Sequence, residues 1–280
     1  MLNGYNQKII ETSTYIEIWD YEKPVFYRQI EPKDEKKQRH EWLEEKTTRK
    51  KFDELSAQSQ YDSLKRKQKH YKNMRFEIAR LVDMNFDNKT KFLTLTFKEN
   101  IQDIDYTNSE FKKFIKRLNY KLYKTKKSQI SYLATWEKQK RGAIHYHIIL
   151  FNFPYIPHKT LVTIWGHGSV NINKIDVDSI ENRGRYISKY FDKDLELKEH
   201  KKKSFFKSQN LKLPKETKKL TNKEYDLANK NVLFTKDYVR KSPVFSIEKN
   251  EYGVPEHEIA FEESNVRYTK INKVGGDIHE

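Results

Sequence analysis

The chain has 280 residues, no cysteine and a formal charge of +16, from 56 lysines and arginines against 40 aspartates and glutamates. The lack of cysteine excludes disulfides, thiolate metal sites and cysteine nucleophiles. The basic excess predicts a polyanionic partner, nucleic acid first and an anionic membrane surface second, because neutralised phosphates release counterions. No apolar run approaches the ~20 residues of a membrane span, and the first residues lack the apolar core of a signal peptide, so we expect a cytoplasmic protein.

Residues 1–88 are predicted to form a basic, mostly helical N-terminal extension. After a strand-like "TYIEIWDY", charge dominates from Glu31 to about Lys72, where helix formers predict one or two long polar helices. The second helix continues through "MRFEIARLVDMNF". A solvated charged face is the simpler interpretation of such a run. Its basic residues nevertheless leave a DNA-contacting role open, and the candidates are Lys65, Arg66, Lys67, Lys69 and Lys72.

A different pattern begins at Lys91. The alternation in "KFLTLTF" places leucines on one face and Thr94 and Thr96 on the other, which predicts a half-buried strand. An amphipathic helix follows, with Thr107 and Glu110 spaced as a capping box. The polar face of this helix is basic and supplies further candidate DNA contacts, namely Lys113, Lys116 and Arg117.

Two further strands, "ISYLATWE" and "AIHYHIILF", flank the turn "KQKRG", in which Arg141 is another candidate DNA contact. "SVNINKID" predicts a fourth strand, and "NRGRYISKYFDKDLE" predicts a helix that begins near two more candidates, Arg183 and Arg185. This order predicts an α+β fold, a central antiparallel sheet with helices packed on it, over residues 89–200. Residues 201–280 are predicted to be a basic segment that packs on or trails from this core, without a second large core.

Two histidines lie one residue apart in the third strand. Because alternate residues share a face, His145 and His147 point together, away from Ile144 and its apolar partners. Glu137 precedes the short turn, so the hairpin returns the chain beside it. Two imidazoles and a carboxylate with open positions suit a divalent metal that also binds a substrate oxygen. The alternatives are packed histidines and a solvent-facing Glu137; His158 and His167 are spare candidate ligands.

The helix after the fourth strand carries a stripe of phenols and ammonium groups. Tyr186, Lys189, Tyr190 and Lys193 recur at i, i+3, i+4 and i+7 and therefore share one helical face. A half-buried tyrosine pair with flanking lysines is the simpler interpretation. Near a metal, the same stripe would supply nucleophilic oxygens and cations for handling phosphate.

The ordered set "FLTLTF", "HYH" and "YISKYFDK" resembles the three motifs of HUH endonucleases, and more closely the rolling-circle replication initiators (Rep proteins) of single-stranded DNA phages and plasmids. The resemblance covers about residues 91–195 and includes the paired-tyrosine form. Tyr146 occupies the position where the family usually has a bulky apolar residue. The histidines precede the tyrosines, which favours an initiator or a related transposase over a relaxase. No Walker A motif occurs, so no fused helicase is expected.

This resemblance implies a mechanism and a set of partners. A divalent ion, Mg²⁺ or Mn²⁺, is held by His145, His147 and Glu137. Tyr186 nicks DNA to give a 5′-phosphotyrosine and a free 3′-OH, with Tyr190 as the second nucleophile and Lys189 and Lys193 beside them. The expected partners are single-stranded or hairpin origin DNA together with host helicase and polymerase, in the cytoplasm of a bacterial host and without a membrane.

Three other functions remain compatible with the sequence. A zinc hydrolase would use the same His₂Glu set but would leave the tyrosine stripe unexplained. A non-catalytic DNA-binding protein would use the histidines only for packing. A transposase or mobilisation relaxase would share the active site and differ in its DNA target.

Overall fold

The computed structural model describes residues 4–26, 53, 55–175, 205–249 and 255–273, without the side chains of 243–260. The chain divides into two compact units. We call Tyr61–Leu213 the central unit, and the combination of Met1–Gln60 with Pro214–Glu280 the terminal unit.

The elements follow one another from β1 to β10. In chain order they are β1 (Gly4–Glu11), β2 (Tyr15–Phe26), α1 (Ala57–Asn85), β3 (Lys91–Thr96), α2 (Ile104–Tyr123), β4 (Ser131–Lys138), β5 (Ile144–Phe151), α3 (His158–Trp165), β6 (Val170–Lys174), β7 (Phe205–Lys207), β8 (Lys215–Lys219), β9 (Asn231–Lys249) and β10 (Pro255–Asn272). None of the helices in these described ranges combines the length and the apolar character needed to cross a bilayer.

The central unit is built on an antiparallel sheet with the strand order β6-β3-β5-β4-β7. One face of this sheet is the main apolar core, because α2 and α3 pack on it. The buried residues of this core include Leu93, Leu95, Ile144, Tyr146 and Ile148 from the strands and Phe111, Phe114, Leu118, Leu161 and Trp165 from the helices. The predicted α+β fold with an antiparallel sheet is confirmed, as is the predicted inward orientation of Tyr146.

Helix α1 packs on the opposite face of the same sheet. Its buried residues, among them Ile78 and Leu81, contact Leu133, Ile149 and Phe151. Ile149 and Phe151 share their face of β5 with His145 and His147, since all four have odd positions along one strand. Helix α1 therefore covers one half of this face, and the histidines lie toward the other end of the strand.

Helix α2 begins three residues earlier than the capping-box spacing predicts. The side chain of Asp103 accepts hydrogen bonds from the backbone N–H groups of Asp105 and Tyr106, at 2.8 and 3.1 Å, and so caps the helix. Thr107 and Glu110 lie inside the helix and are buried. The capping-box prediction was wrong because the helix has an earlier carboxylate cap, and Glu110 bonds to other side chains instead.

The terminal unit differs from the sequence-based expectation at both ends of the chain. Residues 4–26 form strands β1 and β2 instead of a helical extension, and residues 215–272 contain three strands instead of a trailing segment. Together they form a second five-stranded antiparallel sheet with the order β8-β1-β2-β10-β9. Strands β2 and β10 pair residues as distant in sequence as Tyr15 and Asn272. Such long-range pairing leaves no local pattern, and polar residues on both faces of these strands hide the alternation.

Candidate metal centre

Three neighbouring strands place the predicted metal ligands side by side. In the register of the sheet, Glu137 of β4 lies directly opposite His145 of β5, and Thr135 lies opposite His147. On the other side of β5, Thr94 of β3 lies opposite His147. Directly paired residues point to the same face of a sheet. The hairpin therefore brings Glu137 beside both histidines, as the sequence predicted.

The three ligand atoms lie close together. The Nε2 atom of His147 is 2.9 Å from Glu137 Oε2, and the Nε2 atom of His145 is 3.4 Å from the same oxygen. The two imidazole rings have their centroids 4.7 Å apart. Among the residues that the structure describes, this is the one group of three side chains with geometry that suits a metal ion.

Burial and charge act in opposite directions on Glu137. Burial raises the pKa of its carboxyl, but the hydrogen bond from His147 and the charges of both histidines lower it more, and the resulting pKa lies below the usual value. Glu137 is therefore an anionic carboxylate at neutral pH, which is the form that binds a cation.

The donor set fits a divalent ion. Two ligand atoms bound at right angles to one ion at about 2.1 Å lie about 3.0 Å apart, close to the two separations that involve Glu137 Oε2. The buried Nε2 atom of His145 has no hydrogen-bond partner. A buried polar atom without a partner is costly, and binding to an ion would satisfy it. Two nitrogens and one oxygen suit Mn²⁺ or Zn²⁺ and are tolerated by Mg²⁺.

Thr94 and Phe92 orient His147, and the sequence analysis did not identify either role. Thr94 Oγ1 lies 3.2 Å from His147 Nδ1, and the ring of Phe92 stacks on the imidazole with the centroids 5.5 Å apart. When Nδ1 carries the proton, it donates to the threonine hydroxyl and leaves the Nε2 lone pair for a metal. The alternation of "KFLTLTF" already placed Thr94 opposite the leucines, so the signal was present.

Arg141 and Gln139 lie beside His145. Arg141 donates from Nε to Gln139 Oε1 at 3.0 Å and from Nη2 to the Phe97 carbonyl at 2.8 Å. Gln139 Nε2 is 3.4 Å from His145 Nδ1. Arg141 thus connects the hairpin turn to the end of β3 next to the cluster. The DNA contact proposed for Arg141 stays a prediction.

The two spare histidines have structural partners. Nε2 of His158 lies 2.8 Å from the Val170 carbonyl oxygen, and Nε2 of His167 lies 2.9 Å from Glu110 Oε2. Both contacts join α2, α3 and the start of β6. Neither histidine belongs to the Glu137 cluster.

The other candidate DNA contacts lie on two helices on opposite faces of the central sheet. Helix α1 carries Lys65, Arg66, Lys69 and Lys72 exposed, and Lys67 half-buried with its ammonium 5.7 Å from the Tyr71 ring. The basic face of α2 lies on the side away from the histidines. There Lys113 bonds to Glu110 and Arg117 donates to the Ile164 carbonyl at the end of α3, while Lys116 is exposed.

The tyrosine stripe cannot be compared with this geometry. Its residues, together with two of the candidate DNA contacts, lie outside the described part of the chain; they are Tyr186, Lys189, Tyr190, Lys193, Arg183 and Arg185. The described residues that flank this stretch are Ile175 and Phe205, and both pack against the apolar cluster beneath α1.

Residues 90–195 match a family of replication-associated proteins, described as the ORF2 type. The matched segment contains the Glu137 cluster and the tyrosine stripe, and it coincides with the stretch that carries the sequence resemblance. The predicted resemblance to Rep proteins is therefore confirmed, and the match supports a role in replication initiation. Searches of curated proteins and of solved structures gave no significant match.

Proposed function

From the match of residues 90–195 to replication-associated proteins, we propose that the protein is a metal-dependent endonuclease that nicks and rejoins single-stranded origin DNA to start and end rolling-circle replication. The observation that carries this proposal is the convergence of Glu137, His145 and His147 on one sheet face. These residues would hold Mg²⁺ or Mn²⁺. When bound, the ion polarises the scissile phosphate and stabilises the charge that develops during transfer.

The chain's own residues have three roles at this site. Glu137 supplies the negative charge that holds a cation, and the two imidazoles supply neutral ligands. Thr94 keeps the Nε2 atom of His147 directed at the cluster through its contact with Nδ1. Because the sheet backbone fixes the positions of all four residues, little reorganisation is needed when DNA binds.

The topology of the central sheet favours a path for the tyrosine segment over the histidine face. Strands β3 and β4 run parallel, since each is antiparallel to β5, and α2 connects them across the core face. Strands β6 and β7 run the opposite way, and the connection between them moves in the same direction across the sheet. Crossover connections are nearly always right-handed. Two crossovers of one hand with opposite strand directions must use opposite faces.

The proposed reaction is a transfer of the phosphodiester to tyrosine. The phenolic oxygen of Tyr186 forms a bond to phosphorus, and the bond from phosphorus to the 3′ oxygen breaks, giving a 5′-phosphotyrosine and, after protonation, a free 3′-OH. A free phenol has a pKa of about 10, so only ~0.1% is ionised at neutral pH. Lys189 beside it would favour the phenolate. The linkage retains the energy of the diester, so a later 3′-OH can reverse the step and join strands.

The test is formation of a denaturation-resistant protein–DNA adduct. The full chain is incubated with candidate-origin and random single strands in the presence of Mn²⁺. We expect an adduct that EDTA prevents and that His145→Ala and His147→Ala abolish while most DNA affinity remains. Full activity of the double alanine variant in EDTA would disprove the metal role. Cleavage without any adduct would favour a zinc hydrolase, and binding without cleavage would favour a non-catalytic protein.

The nucleophile is identified by mapping the DNA-linked peptide in Tyr186→Phe and Tyr190→Phe. Adducts in both single variants and none in the double variant support two alternating nucleophiles. Loss only with Tyr186→Phe indicates a single nucleophile. An adduct that survives in the double variant would place the nucleophile elsewhere in the chain. A preference for transposon-end strands over origin strands would favour a transposase with the same site.

A further inference from the structure

One face of the sheet in the terminal unit combines aromatic rings with cationic side chains. Direct pairing across all five strands aligns one row of residues, and strand pairing places all of its members on the same face. In the strand order, this row is Lys218, Lys8, Trp19, Tyr268 and Lys236. Two aromatic residues thus occupy the centre of the row, and lysines occupy both ends.

The neighbouring rows on this face continue the composition. Tyr21, paired through Val266 with Tyr238, lies on one side of the central row, and Phe234, opposite Lys270, lies on the other. The ring of Tyr5 contacts the ring of Tyr21 edge-on, with centroids 5.6 Å apart. We call this surface the aromatic face, defined by Tyr5, Lys8, Trp19, Tyr21, Lys218, Phe234, Lys236, Tyr238, Arg240, Tyr268 and Lys270.

The aromatic rings are held in place by one another and by a buried carboxylate. Trp19 and Tyr268 have ring centroids 5.1 Å apart, and the Tyr268 hydroxyl donates to Glu17 Oε1 at 2.7 Å. Phe234 lies 6.1 Å from the Tyr268 ring and is 51% exposed, while Tyr238 is 40% exposed. Part of the aromatic surface is therefore fixed in orientation and open to solvent.

Cations lie over several of these rings. Lys8 is 5.5 Å from the Trp19 ring, Lys218 is 5.3 Å from Tyr5, and Arg240 is 5.7 Å from Tyr21. Lys8 and Lys218 both bond to Glu216, at 3.1 and 2.7 Å, so this trio keeps one net positive charge. With Lys236, Arg240 and Lys270 against the buried Glu17, the face as a whole is positive.

The opposite face of the same sheet lacks this composition. The row one residue along the strands reads Lys219, Gln7, Asp20, Arg267 and Asp237 across the sheet. Asp237 pairs with Arg267 at 3.0 Å, and Asp20 accepts a hydrogen bond from Gln7. Aromatic rings with unneutralised cations are thus concentrated on one side.

We infer that the aromatic face binds single-stranded DNA, with bases stacked on its rings and phosphates held by its lysines and arginine. Base stacking on aromatic side chains along a basic surface is how proteins bind single strands without base pairing. Four-stranded sheets that bind RNA stack two or three bases in this manner. The bases of a duplex are not accessible to a flat sheet. The choice of DNA rests on the proposed function, whereas the choice of a single strand rests on the rings.

The test measures binding of a fluorescent oligothymidine of about 12 nucleotides to the full chain in EDTA, by fluorescence anisotropy. Phe234→Ala and Tyr238→Ala should each raise the Kd about 5- to 100-fold, since a stacked base contributes about 1–3 kcal/mol. Phe261→Ala is the matched control, because Phe261 is 67% exposed and lies on the other face of β10. Equal affinities for all three variants would overturn the inference.

A second pair of variants tests the phosphate contacts. Lys218 and Lys219 are adjacent on β8 but lie on opposite faces. Lys218→Ala should reduce the steepness of the salt dependence by about 0.7 in log K per log salt, and Lys219→Ala should leave it unchanged. DNA should also quench tryptophan fluorescence in the wild type but not in Trp19→Phe. Quenching that persists in Trp19→Phe would contradict stacking on this face.

The same variants separate this inference from the nicking proposal. At saturating DNA, Phe234→Ala and Tyr238→Ala should form adducts as the wild type does, because the Glu137 cluster is unchanged. If no variant and no wild type forms an adduct, the nicking proposal fails while the binding comparison still decides the inference. Tighter binding of a matched single-stranded RNA would overturn the assignment to DNA.

Discussion

His147 is held from both sides by residues on neighbouring strands. Glu137 contacts its Nε2 atom and Thr94 contacts its Nδ1 atom. Thr94→Val keeps the shape of the side chain but removes the hydroxyl that selects the tautomer. We expect metal affinity to fall about 10- to 100-fold, as for other residues that orient metal ligands. The measurement is Mn²⁺ binding by calorimetry, together with the Mn²⁺ concentration that gives half of the maximal adduct.

Thr96→Val is the matched control for this prediction. Thr96 lies on the same face of β3, opposite His145. Within the described residues, the Nδ1 atoms of the two imidazoles contact Thr94 and Gln139 rather than the Thr96 hydroxyl. An equal loss of affinity in both variants would mean that β3 as a whole, not the Thr94 hydroxyl, supports His147.

A second prediction at the residue scale concerns pH. The hydrogen bond from Lys113 lowers the pKa of the Glu110 carboxyl; burial opposes this effect and His167 adds to it, so the net pKa lies below its usual value. A lowered carboxyl pKa stabilises the fold above the ordinary value, and this stabilisation is lost as the pH falls through the lowered value. Glu110→Gln should therefore cost about 1–3 kcal/mol near neutral pH and progressively less in acid.

This prediction is checked by urea unfolding of the wild type and the variant between about pH 7 and about pH 3.5, followed by tryptophan fluorescence. Glu99→Gln, which changes an exposed carboxylate in the same unit, should have no such effect. A difference between the wild type and Glu110→Gln that stays constant over this range would show that charge is not the source of the stabilisation.

Single residues of the metal cluster could be predicted because their positions follow from local rules. The spacing of His145 and His147 fixes a common face, and a short hairpin brings Glu137 into register with His145. Gln139 and Arg141 could not be predicted, because their contacts depend on the conformation of the turn and on the end of β3. Strand periodicity carries no information about such contacts.

At the scale of elements, the turn between α3 and β6 is fixed tightly against β3. Lys98 N–H donates to the His167 carbonyl at 2.8 Å, and Thr96 N–H donates to the Ser169 carbonyl at 3.0 Å. Gly168 lies between these bonds with φ of +152°, and an added Cβ would lie 2.3 Å from the Thr96 carbonyl oxygen. A methyl group at this position must push the turn away from the strand that carries Thr94.

Gly168→Ala should therefore destabilise the central unit by about 2–4 kcal/mol, through steric overlap combined with backbone strain. Gly166→Ala is the control, because Gly166 also has a positive φ, +72°, but its nearest neighbour atom would be 3.8 Å away. We expect it to cost only about 1 kcal/mol. Thermal unfolding compares the two, and equal losses would show that backbone strain alone matters at both glycines.

The elements of the central unit were predictable to different degrees. The amphipathic pattern of α2 gave its buried face, with Phe111, Phe114 and Leu118 in the core as expected. Its first residue was not predictable from the Thr107 and Glu110 spacing, because Asp103 offers an equally good cap one turn earlier. Helix boundaries depend on such local competition more than on periodicity.

At the scale of the whole molecule, the terminal unit is the part that the sequence did not predict. Strand β10 pairs with β2 although the two are about 250 positions apart along the chain. Lys8, Glu17 and Lys270 are polar residues inside these strands, so the strands do not show the alternation of a sheet with one dry face. A surface that stacks bases needs this mixture of rings and charges, and the same mixture hides the strands.

The last prediction concerns the charge of the whole chain. If the basic excess of +16 reflects a DNA footprint of about six phosphates, log K for single-stranded DNA should fall with a slope of about −4 against log salt. His147→Ala should keep this slope, because the histidine contributes no counterion release at neutral pH. Titrations from about 50 to 200 mM salt measure it. A flat profile would mean that stacking on rings, not neutralisation of phosphates, holds the strand, and the lysines of α1 and of the aromatic face would then need another partner.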